Sequence, residues 1–173
     1  MNDTWPKITW DQFFMLHVYL VASKSKDPST KVGSVIVRNN SVISEGYNGI
    51  CRSVNDLVSE RLVAPEKYYW FEHAERNSIF HCARHGISTE GTTLYTQGLP
   101  CSDCSRSIIQ SGIKEIVVHE EWDIGLSLKL GRVKWQESCV RSDIMLLEAG
   151  VSIKTLIGKL GCKTMVDGKI FEV

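Results

Sequence analysis

His73-Ala74-Glu75 and, downstream, Pro100-Cys101-Ser102-Asp103-Cys104 place one imidazole, two thiols and one carboxylate in two short runs of this 173-residue chain. One His and two Cys fill three of the four positions around a zinc ion and leave the fourth for water, as a catalytic site requires. The spacing carries the argument. A helix beginning at Ser102 puts Cys101 at its start and Cys104 one turn on, so both sulfurs face one point. Free amides and the helix dipole at that end favour thiolate over thiol, and Pro100 fits just outside it. His73 opens another helix two residues ahead of Glu75, so one side chain can hold metal while the other reaches over the open position. A closed structural site would want a fourth Cys or His. Cys82, His81 and His85 lie farther along the same helix as His73, on the order of 12 Å or more away. A Cys-x-x-Cys pair alone also fits a redox motif, but the preceding Pro and the upstream His-x-Glu argue against that.

Outward from these runs, the chain alternates strands and helices. Thr9-x-x-Gln12 has the form of a capping box, and the apolar pattern after it predicts a helix from about Trp10 to Ser23, stopped at Pro28. Val32–Val37 reads as a buried strand, Asn39-Asn40 as a turn, and Val42–Gly46 as the antiparallel return. Tyr47–Tyr69 is irregular, and a connection this long is either functional or carries a short helix of its own. A helix from Phe71 to Arg84 ends at Gly86. Then come a strand at Thr92–Thr96, a helix at Ser102–Gln110 and a strand at Glu115–His119. A loop follows at Glu120–Val133, then a helix at Lys134–Ala149 and a strand at Val151–Ile157. The tail, residues 158–173, carries an Asp167-Gly168 pair suited to a small hairpin. No repeat or linker interrupts the chain, which predicts a single domain over 1–173 with its core at about 10–157. The fold class is α/β, with a mixed sheet covered on both faces.

Twenty basic and twenty acidic side chains give a formal net charge of zero. An electrostatically driven nucleic-acid binder usually carries a basic excess, so the balance argues against one. Met1–Pro6 lacks the blocks of a signal peptide and no apolar run reaches membrane-spanning length, so a cytoplasmic location without a membrane partner is expected. Cys82, Cys139 and Cys162 read as ordinary small core residues.

His73-Ala74-Glu75 with Pro100-Cys101-x-x-Cys104 resembles the zinc nucleoside deaminase superfamily. The resemblance implies a three-layer α/β/α sandwich with a five-stranded mixed sheet and hydrolytic removal of an exocyclic amine. It also implies His73, Cys101 and Cys104 as ligands of one catalytic Zn2+, with Glu75 as proton shuttle. Four further runs are similar to deoxycytidylate deaminases: Ser25-Lys26-Asp27-Pro28 with Lys31-Val32-Gly33, Gly46-Tyr47-Asn48-Gly49, His73–Ile79 (with Ser78 in place of the usual Ala), and Ile108–Lys114. The reaction implied is dCMP plus water giving dUMP and ammonia. Alternatives stay open: a deaminase of CMP, of a free nucleoside or of a base in nucleic acid, or a non-catalytic nucleotide sensor.

Asn48 can donate and accept at once, which suits a sugar hydroxyl, though such an Asn also serves turns. Ser25 and Lys26 offer a hydroxyl and an ammonium to a 5′-phosphate, or form a solvated helix end. Asn77 faces substrate or braces a loop. The backbone near Ala74 and Cys101 is placed to read base edges, and Trp122, Lys134 and Trp135 to close over the nucleotide. His119 reads as structural. The family resemblance further implies a homo-oligomer, a hexamer, activated by dCTP and inhibited by dTTP. Tyr47, Asn48, Gly49 and Cys51 would then line the effector site, and Mg2+ would accompany the triphosphate. The chain departs from the family at Ile50-Cys51-Arg52, where relatives often carry Pro.

Overall fold

The computed structural model describes residues 7–126 and 136–173. The expected closing residues Lys134 and Trp135, half of the predicted second loop (127–133) and the N-terminal hexapeptide lie outside the described residues. Helix α1 (Trp10–Ala22) starts as expected: Thr9 accepts from the Gln12 amide while the Gln12 side chain accepts from the Thr9 amide, closing the capping box. Strands β1 (Gly33–Arg38) and β2 (Ser41–Tyr47) form the hairpin, turning at Asn39 and Asn40, both at positive φ.

The irregular stretch holds more than a loop. It contains strand β3 (Gly49–Ile50), a 3-10 turn (Ser59–Leu62), the short helix α2 (Lys67–Trp70) and strand β4 (Phe71–Glu72), which pairs with β3. This corrects the predicted helix start at Phe71. Phe71 and Glu72 are extended, His73 is the N-cap, and α3 runs Ala74–His85 to a left-handed Gly86. Then follow β5 (Thr93–Thr96), α4 (Ser102–Gln110) and β6 (Glu115–His119), a π-helical turn at Glu121–Leu126, α5 (Gln136–Glu148) and β7 (Ser152–Leu156). The tail forms the hairpin β8 (Lys163–Val166) and β9 (Lys169–Glu172), with Asp167 and Gly168 at positive φ in its turn.

The main sheet has the order β2-β1-β5-β6-β7, antiparallel at β2-β1-β5 and parallel at β5-β6-β7. Its inner strands β1, β5 and β6 are buried on both faces, and side chains divide by alternation. Val35, Val37, Tyr95 and Val117 pack with Phe14, Met15 and Val18 of α1 and with Val166 and Val173 of the tail. Ile36, Leu94, Ile116 and Val118 pack with Ile79 and Cys82 of α3, Ile108 of α4 and Leu146 of α5. The fold is therefore α/β with three layers, and the tail hairpin joins the α1 layer, donating from Gly168 to Ser29 and accepting from Lys31 at Met165.

Two glycines set the spacing between layers. A Cβ at Gly33 would stand 2.2 Å from the Val18 carbonyl oxygen of α1, and one at Gly46 would stand 2.4 Å from both the Ala74 oxygen and the Ser78 nitrogen of α3. The second contact presses α3 onto the hairpin at the turn carrying Ala74 and Glu75. Ser78 is buried there and is accommodated by Ser34, whose hydroxyl lies 3.2 Å from its own, and by Ser44, which donates to its carbonyl.

Candidate active site

His73 and Cys101 occupy equivalent places, each the extended N-cap residue of a helix and neither spending its side chain on the cap. An N-cap position aims the side chain across the first turn of its helix. Here α3 and α4 start side by side, so the two N-caps converge, and Cys104, fully buried one turn into α4, completes the group. His73 Nδ1 lies 3.5 Å from Cys101 Sγ and 3.4 Å from Cys104 Sγ. The three donor atoms lie within 4.8 Å of one another, the one group of three or more such ligands among the described residues. A tetrahedral zinc with ordinary Zn–N and Zn–S bonds needs an N···S separation of about 3.6 Å. The donor set fits.

The electrostatics of the site point the same way. A hydrogen bond from the Cys104 thiol holds Cys101 down at about 4, against its burial and with the help of His73. The neighbouring Cys101 sulfur and burial push Cys104 up, while the hydrogen bond to Cys101 holds His73 up at about 9. The three groups are thus coupled through shared protons, which metal binding would release. Glu75, at the second position of α3, is only 6% exposed, and burial raises its carboxyl above the ordinary value. Its electrostatic neighbours are His73, Cys101 and Cys104. A buried carboxyl beside a metal-ligand triad is suited to carrying a proton both ways.

The start of α4 is braced from α5. The Ser102 amide, an orphan donor at the first helical position, donates to Ser138 Oγ at 2.9 Å, and Ser138 donates to Ser102 Oγ at 3.1 Å. One turn on, Ser105 and Ser142 share a buried hydrogen bond. The loop feeding α4 is held by the π-helical turn. Asp123 accepts from the Leu99 amide at 3.1 Å, and Trp122 packs against Gly98, where a Cβ would meet its ring at 2.3 Å. Trp122 is therefore a neighbour of the Pro100-Cys101 loop.

The remaining expected residues are placed differently. Both amide hydrogens of Asn48 are engaged, by Asp27 Oδ2 at 3.2 Å and the Thr30 carbonyl at 2.8 Å, and its oxygen accepts from the Val32 amide. Asn48 is a brace in this structure. Ser25 is buried, donating to the Asn48 carbonyl and accepting from the Asp27 amide, whereas Lys26 faces solvent and pairs with Asp56. The two do not form one anion cradle. Asn77 donates to the Tyr47 carbonyl at 2.8 Å, bracing the second strand against α3. Ala74 is fully buried against Gly46. Tyr47 and Cys51 are exposed, while Gly49 is buried and pairs with Glu72, the residue before His73. His119 is wholly buried between the Tyr19 hydroxyl and the Gly158 carbonyl, a structural placement.

Sequence reasoning passed over Asp27 and Lys67. The Asp27 carboxylate accepts from the Ser29 and Thr30 amides, from Asn48 and from Lys67, whose ammonium lies 3.0 Å away. Both partners of this ion pair are nearly buried. Asp27 before Pro28 carried the signal of an Asx turn. Lys67, far along the chain, carried none.

The model of the cytidine and deoxycytidylate deaminase zinc-binding region matches residues 8–120. The chain is 37% identical over 117 residues to ComE operon protein 2 of Bacillus subtilis, covering 67% of this chain and 62% of that protein. It is 36% identical over 149 residues to an uncharacterized deaminase of Aliivibrio fischeri, covering 85% and 93%. It is 36% identical over 116 residues to mouse deoxycytidylate deaminase, covering 64% of each. The chain thus spans less than two thirds of the Bacillus and mouse relatives. Among solved structures, the dCMP deaminase of cyanophage S-TIM5, in complex with dCMP and dUMP, superposes with a TM-score of 0.64 at 22% identity, covering 88% of this chain and all of that one.

Proposed function

The chain belongs to the cytidine and deoxycytidylate deaminase family, and from that membership we propose that it hydrolyses dCMP to dUMP and ammonia at the site of His73, Cys101, Cys104 and Glu75. The observation that carries the reading is Glu75, a buried carboxyl with a raised pKa set against a triad that fits zinc. A structural zinc site has no use for such a group. The choice of dCMP is supported by the likeness to the mouse enzyme and by the segments at Ser25–Gly33 and Gly46–Gly49.

His73, Cys101 and Cys104 would hold the zinc, which when bound supplies Lewis acidity that brings the pKa of water towards neutrality. The chain's own part is proton traffic and positioning. Glu75 takes the proton of the attacking water and delivers it to N3 of the pyrimidine, which makes C4 electrophilic. It then takes the proton of the new C4 hydroxyl and passes it to N4, so that the C4–N4 bond breaks, ammonia leaves and the C4 carbonyl forms. Burial, which raises the Glu75 carboxyl above the ordinary value, suits it to both accepting and returning a proton. The first-turn amides at Ala74 and the backbone at Cys101 read the base edges, excluding bases that cannot pair with them. Purified protein should release ammonia from dCMP, and Glu75→Gln should abolish release while zinc stays bound. Turnover by that variant near the wild-type rate would remove Glu75 from the mechanism.

Regulation by dCTP and dTTP in a homo-hexamer, with Mg2+ on the triphosphate, is part of the same proposal and rests on the resemblance. A physical route exists for it. Gly49 pairs with Glu72 beside His73, and Asn77 of α3 holds the Tyr47 carbonyl, so a ligand displacing this loop would pull on the metal-bearing end of α3. Assay of dCMP turnover with and without each triphosphate tests it, and a flat response contradicts it.

A further inference from the structure

We propose that His81 and His85, on the outer side of α3, form a second metal site that takes one hydrated divalent transition-metal ion independently of the zinc triad. The residues stand at i and i+4, so their side chains project from the same helix face one turn apart. Their ring centroids are 4.8 Å apart and the ring planes are inclined at 67°. With metal–nitrogen bonds of zinc length, two imidazoles sharing an ion would have centroids about 4.5 Å apart at a right angle and about 5.2 Å apart at the tetrahedral angle. The observed spacing lies between the two, so the rings stand at a chelating separation.

A second contact favours ligation. His81 Nδ1 lies 3.4 Å from the Glu45 carbonyl oxygen of β2, the edge strand of the sheet. A carbonyl only accepts, so Nδ1 carries the hydrogen and the lone pair resides on Nε2. Metal-binding histidines are commonly held this way, with the non-ligating N–H tied to a carbonyl or carboxylate that fixes tautomer and ring orientation. His81 is half-buried and tethered, whereas His85 is exposed in the last turn of α3 and free to swing onto the ion. Two imidazoles leave the remaining positions to water, and imidazole donors select nickel, copper or zinc over magnesium or calcium. Nothing in the proposed deamination uses these side chains. The site would staple the last two turns of the helix whose first turn carries Glu75.

The test uses zinc-loaded protein titrated with Ni2+ by calorimetry, with zinc and nickel counted on the same dialysed sample. One equivalent of nickel should bind without release of zinc, and the paramagnetic ion should broaden the imidazole resonances of His81 and His85. His85→Asn and His81→Asn should each weaken binding about a hundredfold, because the second ligand then no longer acts at high effective concentration. His17→Asn, which alters a histidine paired with Glu45 from another helix, should leave it unchanged. His85 is exposed, so its variant tests the site without disturbing the core. The proposal is overturned if zinc-loaded protein takes up no nickel, takes it up only as zinc leaves, or binds it undiminished in His85→Asn.

Discussion

Glu75 and Cys104 sit within one buried cluster yet should fail in different ways when altered. Glu75→Gln removes a proton carrier but no ligand, so metal should stay and turnover fall by about 10²-fold or more, read as kcat at full zinc occupancy. Cys104→Ala removes a ligand from a fully buried position, so the metal itself should be lost, as atomic absorption would show; retention of stoichiometric zinc would contradict the assigned ligand set. The convergence of these residues was legible because type and spacing carry it: a His two residues before a Glu, and two Cys one turn apart behind a Pro. The roles of Asn48 and Ser25 were less legible. Their types suit ligands and braces equally, and only the fold discloses that Asp27, Thr30 and Val32 already engage the Asn48 amide. Lys67 was invisible for a related reason, since its partner Asp27 is brought near by tertiary structure alone.

Among the elements, α1 and α4 were readable to within a residue because their starts carry local chemistry, a capping box in one and Pro-Cys in the other. Thr9→Ala should cost about 1 kcal/mol in thermal or denaturant unfolding, the ordinary loss for such a cap. The start of α3 was misread by three residues. Apolar Phe71 fits a helical pattern, but its pairing with Ile50 across β3 and β4 competes and wins, which leaves His73 as an extended N-cap. That displacement matters for chemistry, because it frees the imidazole to converge with Cys101. The Gly-Tyr-Asn-Gly segment also changed meaning. Gly46 is required by the approach of α3, and Gly46→Ala should destabilise by about 1–3 kcal/mol through overpacking against Ala74 and Ser78. A thermal midpoint equal to the parent's would contradict that contact.

At the scale of the whole molecule, Asp11 ties α1 to the sheet through the Tyr95 hydroxyl on β5 and Lys154 on β7. Burial alone would raise its carboxyl, but the hydrogen bonds from Lys154 and Tyr95 outweigh it and hold it below the ordinary carboxylate value. A depressed carboxylate stabilises the fold above its unfolded value and loses that contribution as pH falls through the folded one. Stability should therefore drop below about pH 4, and Asp11→Asn should flatten that part of the profile. Lys154 is half exposed and screened, so at neutral pH the variant should lose no more than about 1 kcal/mol. A mixed sheet covered on both faces followed from alternation of strands and helices, whereas its strand order and the docking of the tail hairpin under α1 had no local signal. The measurement that bears most directly on the central claim is turnover of dCMP against CMP, deoxycytidine and single-stranded DNA, with zinc counted on the same sample. The highest kcat/KM should fall on dCMP, and activity should rise and fall with zinc content; a zinc-replete protein that leaves dCMP untouched, or prefers another of these substrates, would contradict the proposed reaction.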